Sequence, residues 1–251
     1  MQTFPFYRFL KNSAGSVLLT AILFCNPVAK AQTATPNTAQ TTAIGTSKTW
    51  GVVDGVSIIG LVQGPSATNT PLQIACVFEY SEGDIFNPPA LPAPLNGMRH
   101  LDDALRGKIT EIRKTGKFAG HMLETMLITP PPGSEMKAQK LLLIGLGNRS
   151  QFTPEVMESV GAVALREALR IGVTSFAFAS DIKDGGIESP TAAVANHVTK
   201  GILEAYRVQA YLKANKLYSY QPLTSITLLA GPAFFNTAGE GIQQAIAAFH
   251  N

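Results

Sequence analysis

The hydrophobic pattern is clearest between residues 140 and 179, where it predicts a buried strand, a helix and a second strand. The segment from Leu141 to Leu146 has no polar side chain, which is typical of a strand covered on both faces by helices. In the segment that follows, apolar residues recur at helical spacing at Val156, Val160, Val163, Ala164 and Leu169. Gly172 is expected to end this helix. A strand, helix and strand in this order form a right-handed crossover, so the pattern predicts an α/β fold: a three-layer mixed sheet with helices on both faces.

Further apolar segments predict the rest of the sheet. A long strand is expected over residues 52–62, with Gly55 and Gly60 as bulges. The other strands are expected at residues 73–79, 117–128, 140–146, 173–179 and 225–229. Helices are expected at residues 101–114, after a proline-rich segment, and at residues 190–215 and 238–249.

Residues 1–31 have the pattern of a signal peptide. A basic start is followed by a short apolar segment at residues 17–24 and by the small-x-small sequence of residues 29–31. An apolar segment of this length is too short to cross a bilayer. We therefore expect cleavage after Ala31, a flexible polar linker over residues 32–48, and a periplasmic or secreted bacterial protein with no membrane span.

The predicted cleavage changes the charge of the chain. The full sequence has 20 basic and 17 acidic residues, but residues 1–31 contain three of the basic residues and no acidic one. The mature chain would therefore have 17 basic and 17 acidic residues. Without a net positive field, it is not expected to bind nucleic acid or anionic lipid.

The two cysteines, Cys25 and Cys76, are not expected to pair. Cleavage would remove Cys25, and Phe24 stands where a small residue precedes a lipid-modified cysteine, which disfavours lipidation. Cys76 lies in an apolar strand, where a buried structural thiol is favoured over a reactive one.

The turn after the strand at residues 140–146 is the best candidate for a ligand-binding rim. Gly145, Gly147, Asn148 and Arg149 lie between a strand and a helix, the context in which glycine-rich turns bind phosphates. Ser150, however, stands where the third glycine of a GxGxxG sequence belongs. A tight structural turn is the favoured interpretation, and a ligand rim is the alternative.

The sequence gives little support for a metal site or a catalytic centre. Its four histidines are widely spaced, and none falls in an HExxH or cysteine–histidine pattern. His121 and Glu124 are predicted on opposite faces of a strand. Asp181, Asp184 and Glu188 could bind a hard cation weakly, but a solvated loop is the simpler interpretation. No metal, cofactor or catalytic residue is therefore expected.

Two segments resemble the amino-terminal domain of the leucyl, or cytosol, aminopeptidases: residues 140–179 and the sequence GILEAYRVQAY at residues 201–211. The resemblance extends from about residue 52 to residue 249. It implies a fold similar to the macro domains that bind ADP-ribose. It also implies that two metal ions are bound in a separate catalytic domain, in motifs resembling VGKG, FDSGG and NTDAEGRL. None of these motifs occurs in this sequence, so no catalytic residue can be assigned.

Together with the predicted signal peptide, the resemblance favours an exported, non-catalytic binding or interaction module. It implies a domain at residues 49–215, followed at residues 216–251 by a remnant strand and helix of the catalytic domain. One alternative is a metal-dependent aminopeptidase component completed by another chain. Another is a macro-domain-like sensor of nucleotides or ADP-ribose.

Two groups of residues are candidates for a protein interface. Tyr206, Arg207 and Tyr211 belong to residue types that dominate binding hot spots. Within the remnant segment, Ile242, Ile246 and Phe249 would be left in water if no sheet were present for them to enter. We therefore expect this segment to dock in a homodimer or on another envelope protein rather than to fold back.

Overall fold

A single mixed sheet of seven strands organises the computed structural model, which describes residues 41–250. The strands are β1 (Ser47–Val53), β2 (Val56–Val62), β3 (Gln73–Val77), β4 (Thr125–Ile128), β5 (Leu141–Gly145), β6 (Ser175–Ala179) and β7 (Ser225–Ala230). Their order across the sheet is β1-β2-β7-β6-β3-β5-β4. The five central strands are parallel, whereas β1 and β4 pair antiparallel at the edges.

Helices cover both faces of this sheet. They are α1 (Gly97–Ala104), α2 (Lys108–Lys114), α3 (Val156–Ile171), α4 (Thr191–Ala214) and α5 (Phe235–His250). One core lies between the sheet and α3, α4 and α5, and a smaller core lies between the sheet, α1 and α2. Alternate residues of β5 enter the two cores, which is why this strand is apolar throughout. The predicted three-layer α/β fold is therefore confirmed.

The first two strands differ from the prediction. The single strand expected at residues 52–62 is a hairpin, β1 and β2, that turns at Asp54 and Gly55. Both turn residues have positive φ, 50° and 80°, and Asp-Gly is a preferred sequence for such two-residue turns. Gly60 lies within β2, where a Cβ atom would come within 2.3 Å of Trp50 Nε1. Gly60 therefore makes room for an indole ring and is not a bulge.

Two other elements differ from their predicted bounds. The strand expected at residues 117–128 is confined to β4, because residues 119–124 form a turn. The helix expected at residues 101–114 is divided into α1 and α2 at Arg106 and Gly107. These two residues have φ of 57° and 76°, which a right-handed helix cannot contain.

The last strand and helix belong to the same sheet as the rest of the domain. β7 lies between β2 and β6 and is parallel to both. Its residues Ile226 and Leu228 are buried, as are Ile242 and Ile246 of α5. The expectation that this segment has no sheet to enter and does not fold back was wrong, because it folds back onto its own domain. Docking on a partner stays a prediction.

The predicted signal peptide and residues 32–40 of the predicted linker lie outside the described residues. β1 already begins at Ser47, before the end of that linker. Within residues 41–250, no helix combines the length and the apolar composition that a membrane span requires.

Candidate functional site

The carboxyl ends of β6, β3 and β5 meet at one edge of the sheet. Residues 78–96, 146–155 and 180–190 leave the sheet there as three loops. After β3 the chain passes to β4 and β5 on one side, and after β5 it crosses through α3 to β6 on the other side. Open α/β sheets bind ligands at such a switch point. We call the space between these loops the carboxyl-edge crevice; it is bounded by Cys76, Val77, Phe78, Asp84, Ile85, Met98, Arg149, Asp181 and Gly185.

An ion-pair cluster joins the elements around this crevice. Arg113 of α2 donates through Nη1 to Asp84 Oδ1 at 3.1 Å, and through Nη2 to Asp84 Oδ2 and to the carbonyl oxygen of Phe78. Arg149 donates to the same Asp84 Oδ2 at 3.1 Å and to the carbonyl oxygen of Gly185 at 3.4 Å. The side chains of Arg113 and Asp84 are 0% and 3% exposed, so water does not screen this pair. The cluster fixes the loops after β3, β5 and β6 to one another.

A second cluster contains two aspartates of the loop after β6, the half-buried Asp181 and the buried Asp184. Asp184 Oδ2 accepts the backbone N–H of Met98 at 2.9 Å, at the start of α1. Asp181 Oδ2 accepts the backbone N–H of Cys76 at 3.4 Å. Burial, reinforced by the negative charge of Asp184, raises the pKa of Asp181 well above its usual range.

Asn96 links the proline-rich loop to the second cluster. Its Nδ2 donates to the carbonyl oxygens of Ile85, Leu91 and Asp184 at 3.1, 3.2 and 3.3 Å. Its Oδ1 accepts the backbone N–H of Arg99 at 2.8 Å and so caps α1. One fully buried amide therefore positions both the loop and the helix that close the crevice.

The space left inside the crevice is small. Its volume is about 10 Å³, which corresponds to about one water molecule. Pockets that bind drug-sized ligands have volumes of about 300–1,000 Å³. In this conformation the crevice is closed to a nucleotide.

The glycines of the predicted ligand rim pack against the turn at residues 119–124. A Cβ atom at Gly145 would lie 2.0 Å from the carbonyl oxygen of His121, and Gly147 has a φ of 71°. Glu124 Oε2 accepts the backbone N–H groups of residues 119–121 at 2.8–3.1 Å. His121 and Glu124 are thus joined within one turn, and the prediction that a strand separates their side chains was wrong.

The other two residues of the predicted rim have different positions. Asn148 Oδ1 accepts the backbone N–H of Ser150 at 2.9 Å and caps a short 3₁₀ helix. Arg149 bounds the crevice and belongs to its ion-pair cluster. Ligand binding by this rim stays a prediction.

The loop after β6 is not solvated in the way the sequence suggested. Asp184 is 7% exposed and accepts the backbone N–H of Met98, whereas the side chain of Glu188 is 91% exposed and forms an ion pair with Lys183 at 2.8 Å. The solvated-loop interpretation was therefore wrong for Asp184, and Asp181 is half-buried. Across residues 41–250, no group of three or more histidine, cysteine or acidic side chains is placed to bind a metal ion.

Three of the predicted interface residues are buried within their own domain. Tyr206 is 7% exposed and packs against Tyr220, with 6.0 Å between the ring centroids. Ile242 and Ile246 are 1% and 9% exposed in the core under α5. These three side chains are not accessible to a partner.

The remaining three predicted interface residues lie nearer to solvent. Arg207 stacks over the ring of Phe249 at 3.7 Å and donates to its carbonyl oxygen at 3.1 Å. Tyr211 is 65% exposed on α4. Their role in an interface stays a prediction.

An exposed surface follows Tyr211 at the C-terminal end of α4, and the sequence reasoning missed it. Lys213, Lys216, Leu217, Tyr218 and Ser219 line an open depression, and we call them the α4-end surface. Leu217 is 70% exposed and Tyr218 is 37% exposed. Exposed apolar groups gathered in this way are typical of protein-binding surfaces.

The sequence reasoning also missed the charged groups that close the crevice. Asp84 and Arg113 are 29 residues apart, and nothing in their local sequences marks them as partners. For the aspartates a signal existed, because Asp181 comes two residues after an apolar strand whose carboxyl end faces the switch point.

Known proteins share both sequence and fold with this chain. A family model described as "Cytosol aminopeptidase family, N-terminal domain" matches residues 84–215. A probable cytosol aminopeptidase of Roseiflexus castenholzii is 30% identical over 142 residues, and one of Thermosynechococcus vestitus is 28% identical over 126 residues. These matches cover 56% and 50% of this chain but 28% and 25% of the relatives, so the chain spans about a quarter of their length.

Two solved structures show the same fold. A tomato leucine aminopeptidase mutant matches 78% of this chain and 36% of its own, with a TM-score of 0.52 and 20% identity. An Oceanobacillus iheyensis macrodomain mutant matches 81% of this chain and 95% of its own, with a TM-score of 0.50 and 13% identity. The predicted macro-domain-like fold is confirmed. Because the family model covers more than half of the sequence, the chain belongs to the cytosol aminopeptidase family and contains its N-terminal domain.

Proposed function

We propose that this chain is an exported, non-catalytic binding and interaction module built on the N-terminal domain of the cytosol aminopeptidase family. The observation that carries the proposal is the closed crevice, because a macro-domain-like fold would admit a small ligand at this edge of its sheet. Here the ion pairs of Asp84 occupy that position. The α4-end surface, in contrast, presents exposed apolar and basic groups to a second protein.

The partner that fits this surface is a different chain with apolar and acidic side chains. In a symmetric homodimer this surface would face its own copy, so that the interface would contain four lysines and no acidic side chain from the residues that line the depression. Like charges placed together oppose binding, whereas acidic groups complement the lysines and speed association. An envelope protein of this kind is therefore favoured over a homodimer.

The partner hypothesis is tested with variants of the α4-end surface. Binding partners of the wild-type chain are compared with those of Lys216→Glu, with Lys108→Glu on α2 as the control because that lysine is also exposed but lies on the opposite face of the sheet. We expect a partner that purified components reproduce, that Lys216→Glu loses, and that Lys108→Glu retains. Equal binding to both variants contradicts the assignment of this surface.

Two assays test the alternative functions. A ligand that binds the native state raises the melting temperature by mass action, so a shift with ADP-ribose or nucleotides would contradict the closed crevice. Hydrolysis of leucine p-nitroanilide with added manganese or zinc tests the aminopeptidase alternative, and we expect none. Turnover that copurifies with the chain and disappears on chelation would overturn the non-catalytic assignment.

Export has its own test. The intact mass of the exported protein should correspond to a chain that begins at Gln32. A cytoplasmic product that retains Met1 contradicts export.

A further inference from the structure

The guanidinium group of Arg149 occupies a position that combines three features of cation-binding sites. Its Nη2 donates to Asp84 Oδ2 at 3.1 Å, and its Nη1 donates to the carbonyl oxygen of Gly185 at 3.4 Å. Its central carbon lies 5.7 Å from the centre of the Phe78 ring. A carboxylate and a carbonyl oxygen match the planar fork of a guanidinium, and an aromatic ring attracts a cation at this distance. Arg149 is therefore bound here as a ligand would be.

The three groups that contact Arg149 are held by other contacts as well. Arg113 donates to both carboxylate oxygens of Asp84 and to the carbonyl oxygen of Phe78. The backbone N–H of Gly185 donates to the carbonyl oxygen of Ile182 at 3.2 Å. Because Arg113 still pairs with Asp84 when Arg149 leaves, no buried carboxylate loses its compensating charge. The site therefore does not depend on its present occupant.

Arg149 reaches this site from the solvent side. Its side chain is 27% exposed, whereas that of Arg113 is fully buried. The backbone at Arg149 belongs to a short 3₁₀ helix, which Asn148 caps by accepting the backbone N–H of Ser150. These local bonds do not involve the guanidinium group. The side chain can therefore swing out while the turn that carries it stays in place.

The vacated site would favour a cation over an anion. Among the described residues that bound the crevice, two have carboxyl groups, Asp84 and Asp181, and Arg149 has the only basic side chain. A phosphate group would meet acceptors like its own and no basic group from this lining. A guanidinium group would instead restore the hydrogen bonds that Arg149 makes.

We propose that the mouth of the carboxyl-edge crevice is a guanidinium-binding site, which Arg149 occupies from within the chain and which the guanidinium group of a ligand can take over. The ligand is a small guanidinium compound or the arginine of a peptide, since both carry the same planar group. The site shares no lining residue with the α4-end surface, so it does not rest on the partner proposed for that surface.

In the wild type, a ligand has to compete with Arg149. A group on a short flexible tether has an effective concentration on the order of millimolar. The apparent dissociation constant is the intrinsic one divided by the fraction of open sites. If Arg149 leaves the site open for about a tenth of the time or less, its removal strengthens binding by about tenfold or more.

Calorimetric titration of Arg149→Ala with ethylguanidinium tests the proposal. We expect this variant to bind the probe at least about tenfold more tightly than the wild type does. Ethylammonium should bind more weakly, because a point charge cannot span the two acceptors as a planar fork does. Arg170→Ala is the matched control, since it removes an arginine that pairs with Glu167 but is 62% exposed on α3. Equal affinities in Arg149→Ala and the wild type, or an equal gain in Arg170→Ala, overturn the proposal.

A second probe distinguishes the two sources of the guanidinium group. N-acetylarginine amide presents the group as a peptide does. Binding of both probes to Arg149→Ala supports a site that accepts the arginine of a peptide. Binding of ethylguanidinium alone supports a site for small guanidinium compounds, and binding of neither probe overturns the proposal.

Nuclear magnetic resonance of the wild type decides the question even if Arg149→Ala fails to fold. Ethylguanidinium at about 0.1 M exceeds the effective concentration of a tethered group and stays well below denaturing concentrations. It should shift the side-chain N–H signals of Arg149 and leave those of the fully buried Arg113 unchanged. Unchanged signals of Arg149 at this concentration overturn the proposal.

Discussion

The carboxyl-edge crevice and the α4-end surface use charged residues in opposite ways. In the crevice, Asp84 is enclosed with Arg113, and its carboxylate accepts hydrogen bonds from two guanidinium groups. At the end of α4, Lys213 and Lys216 line an open depression beside the exposed side chain of Leu217. The charges of the crevice are paired with each other inside the domain. At the α4-end surface Lys213 donates to the carbonyl oxygen of Tyr220, but no acidic side chain of the described residues forms an ion pair with either lysine.

This difference assigns the two regions to different tasks. Buried ions lose hydration, so they are retained only where good geometry compensates, and removal of one partner leaves the other uncompensated. Exposed charges contribute little to stability, because water and salt screen them. The crevice therefore contributes to the stability of the fold, whereas the α4-end surface is free to contribute to recognition.

The largest effect is expected from a truncation after Asn215. It removes Leu217 and Tyr218 from the α4-end surface, but it also removes β7 and α5. Without β7, strands β2 and β6 lose the neighbour that each pairs with at the centre of the sheet. We expect the truncated chain to show no cooperative melting transition in circular dichroism.

A chain truncated in this way that still melts cooperatively would contradict the structural role of β7. The control is the full chain with Leu217→Ser, which alters the surface and leaves the sheet intact. This variant should melt as the wild type does.

The next largest effect is expected at the centre of the ion-pair cluster. Asp84→Ala leaves Arg113 buried without its carboxylate and removes the ion-pair partner of Arg149. Breaking a buried pair in this way lowers the free energy of unfolding by about 3–5 kcal/mol. Urea denaturation of the wild type and the variant measures the difference.

Glu82→Ala is the matched control for this experiment. Glu82 pairs with Lys114 at 3.2 Å, but these side chains are 75% and 61% exposed. Its loss should cost less than about 1 kcal/mol. If Asp84→Ala costs no more than Glu82→Ala, the crevice does not depend on its buried charges, and the contrast between the two regions fails.

The parts of the fold that the sequence predicted correctly are those set by local patterns. The unbroken apolar segment of β5 and the apolar spacing along α3 and α4 reflect burial within one element, and Gly172 ends α3 with a φ of 83°. The Asp54-Gly55 hairpin was equally local, and its turn sequence could have been recognised. These features need no knowledge of distant residues.

The parts that could not be predicted depend on contacts between distant residues. The position of β7 rests on pairs such as Ser57 with Ser225, which no local pattern specifies. The crevice is closed by hydrogen bonds between residues that are 29, 65 and 86 positions apart in the sequence. The sequence around each charged residue does not indicate which distant group it will contact. For this reason the site appeared in the sequence only as a glycine-containing turn and a loop with two aspartates.

The smallest effect on stability, and the most specific effect on binding, is expected at the α4-end surface together with the preceding Tyr211. Tyr211 and Leu217 are 65% and 70% exposed, so Tyr211→Ala with Leu217→Ser should change the free energy of unfolding by no more than about 0.5 kcal/mol per site. If these side chains are anchors of an interface, their removal should weaken partner binding by about 2 kcal/mol or more, which is roughly thirtyfold.

Leu95→Ser is the matched control, because Leu95 is 66% exposed but lies in the loop before α1. Urea denaturation and sedimentation with the purified partner measure the two quantities. If the double variant loses binding but keeps its stability, and the control keeps both, recognition and folding depend on different residues. A large loss of stability in the double variant would instead show that these side chains also stabilise the fold.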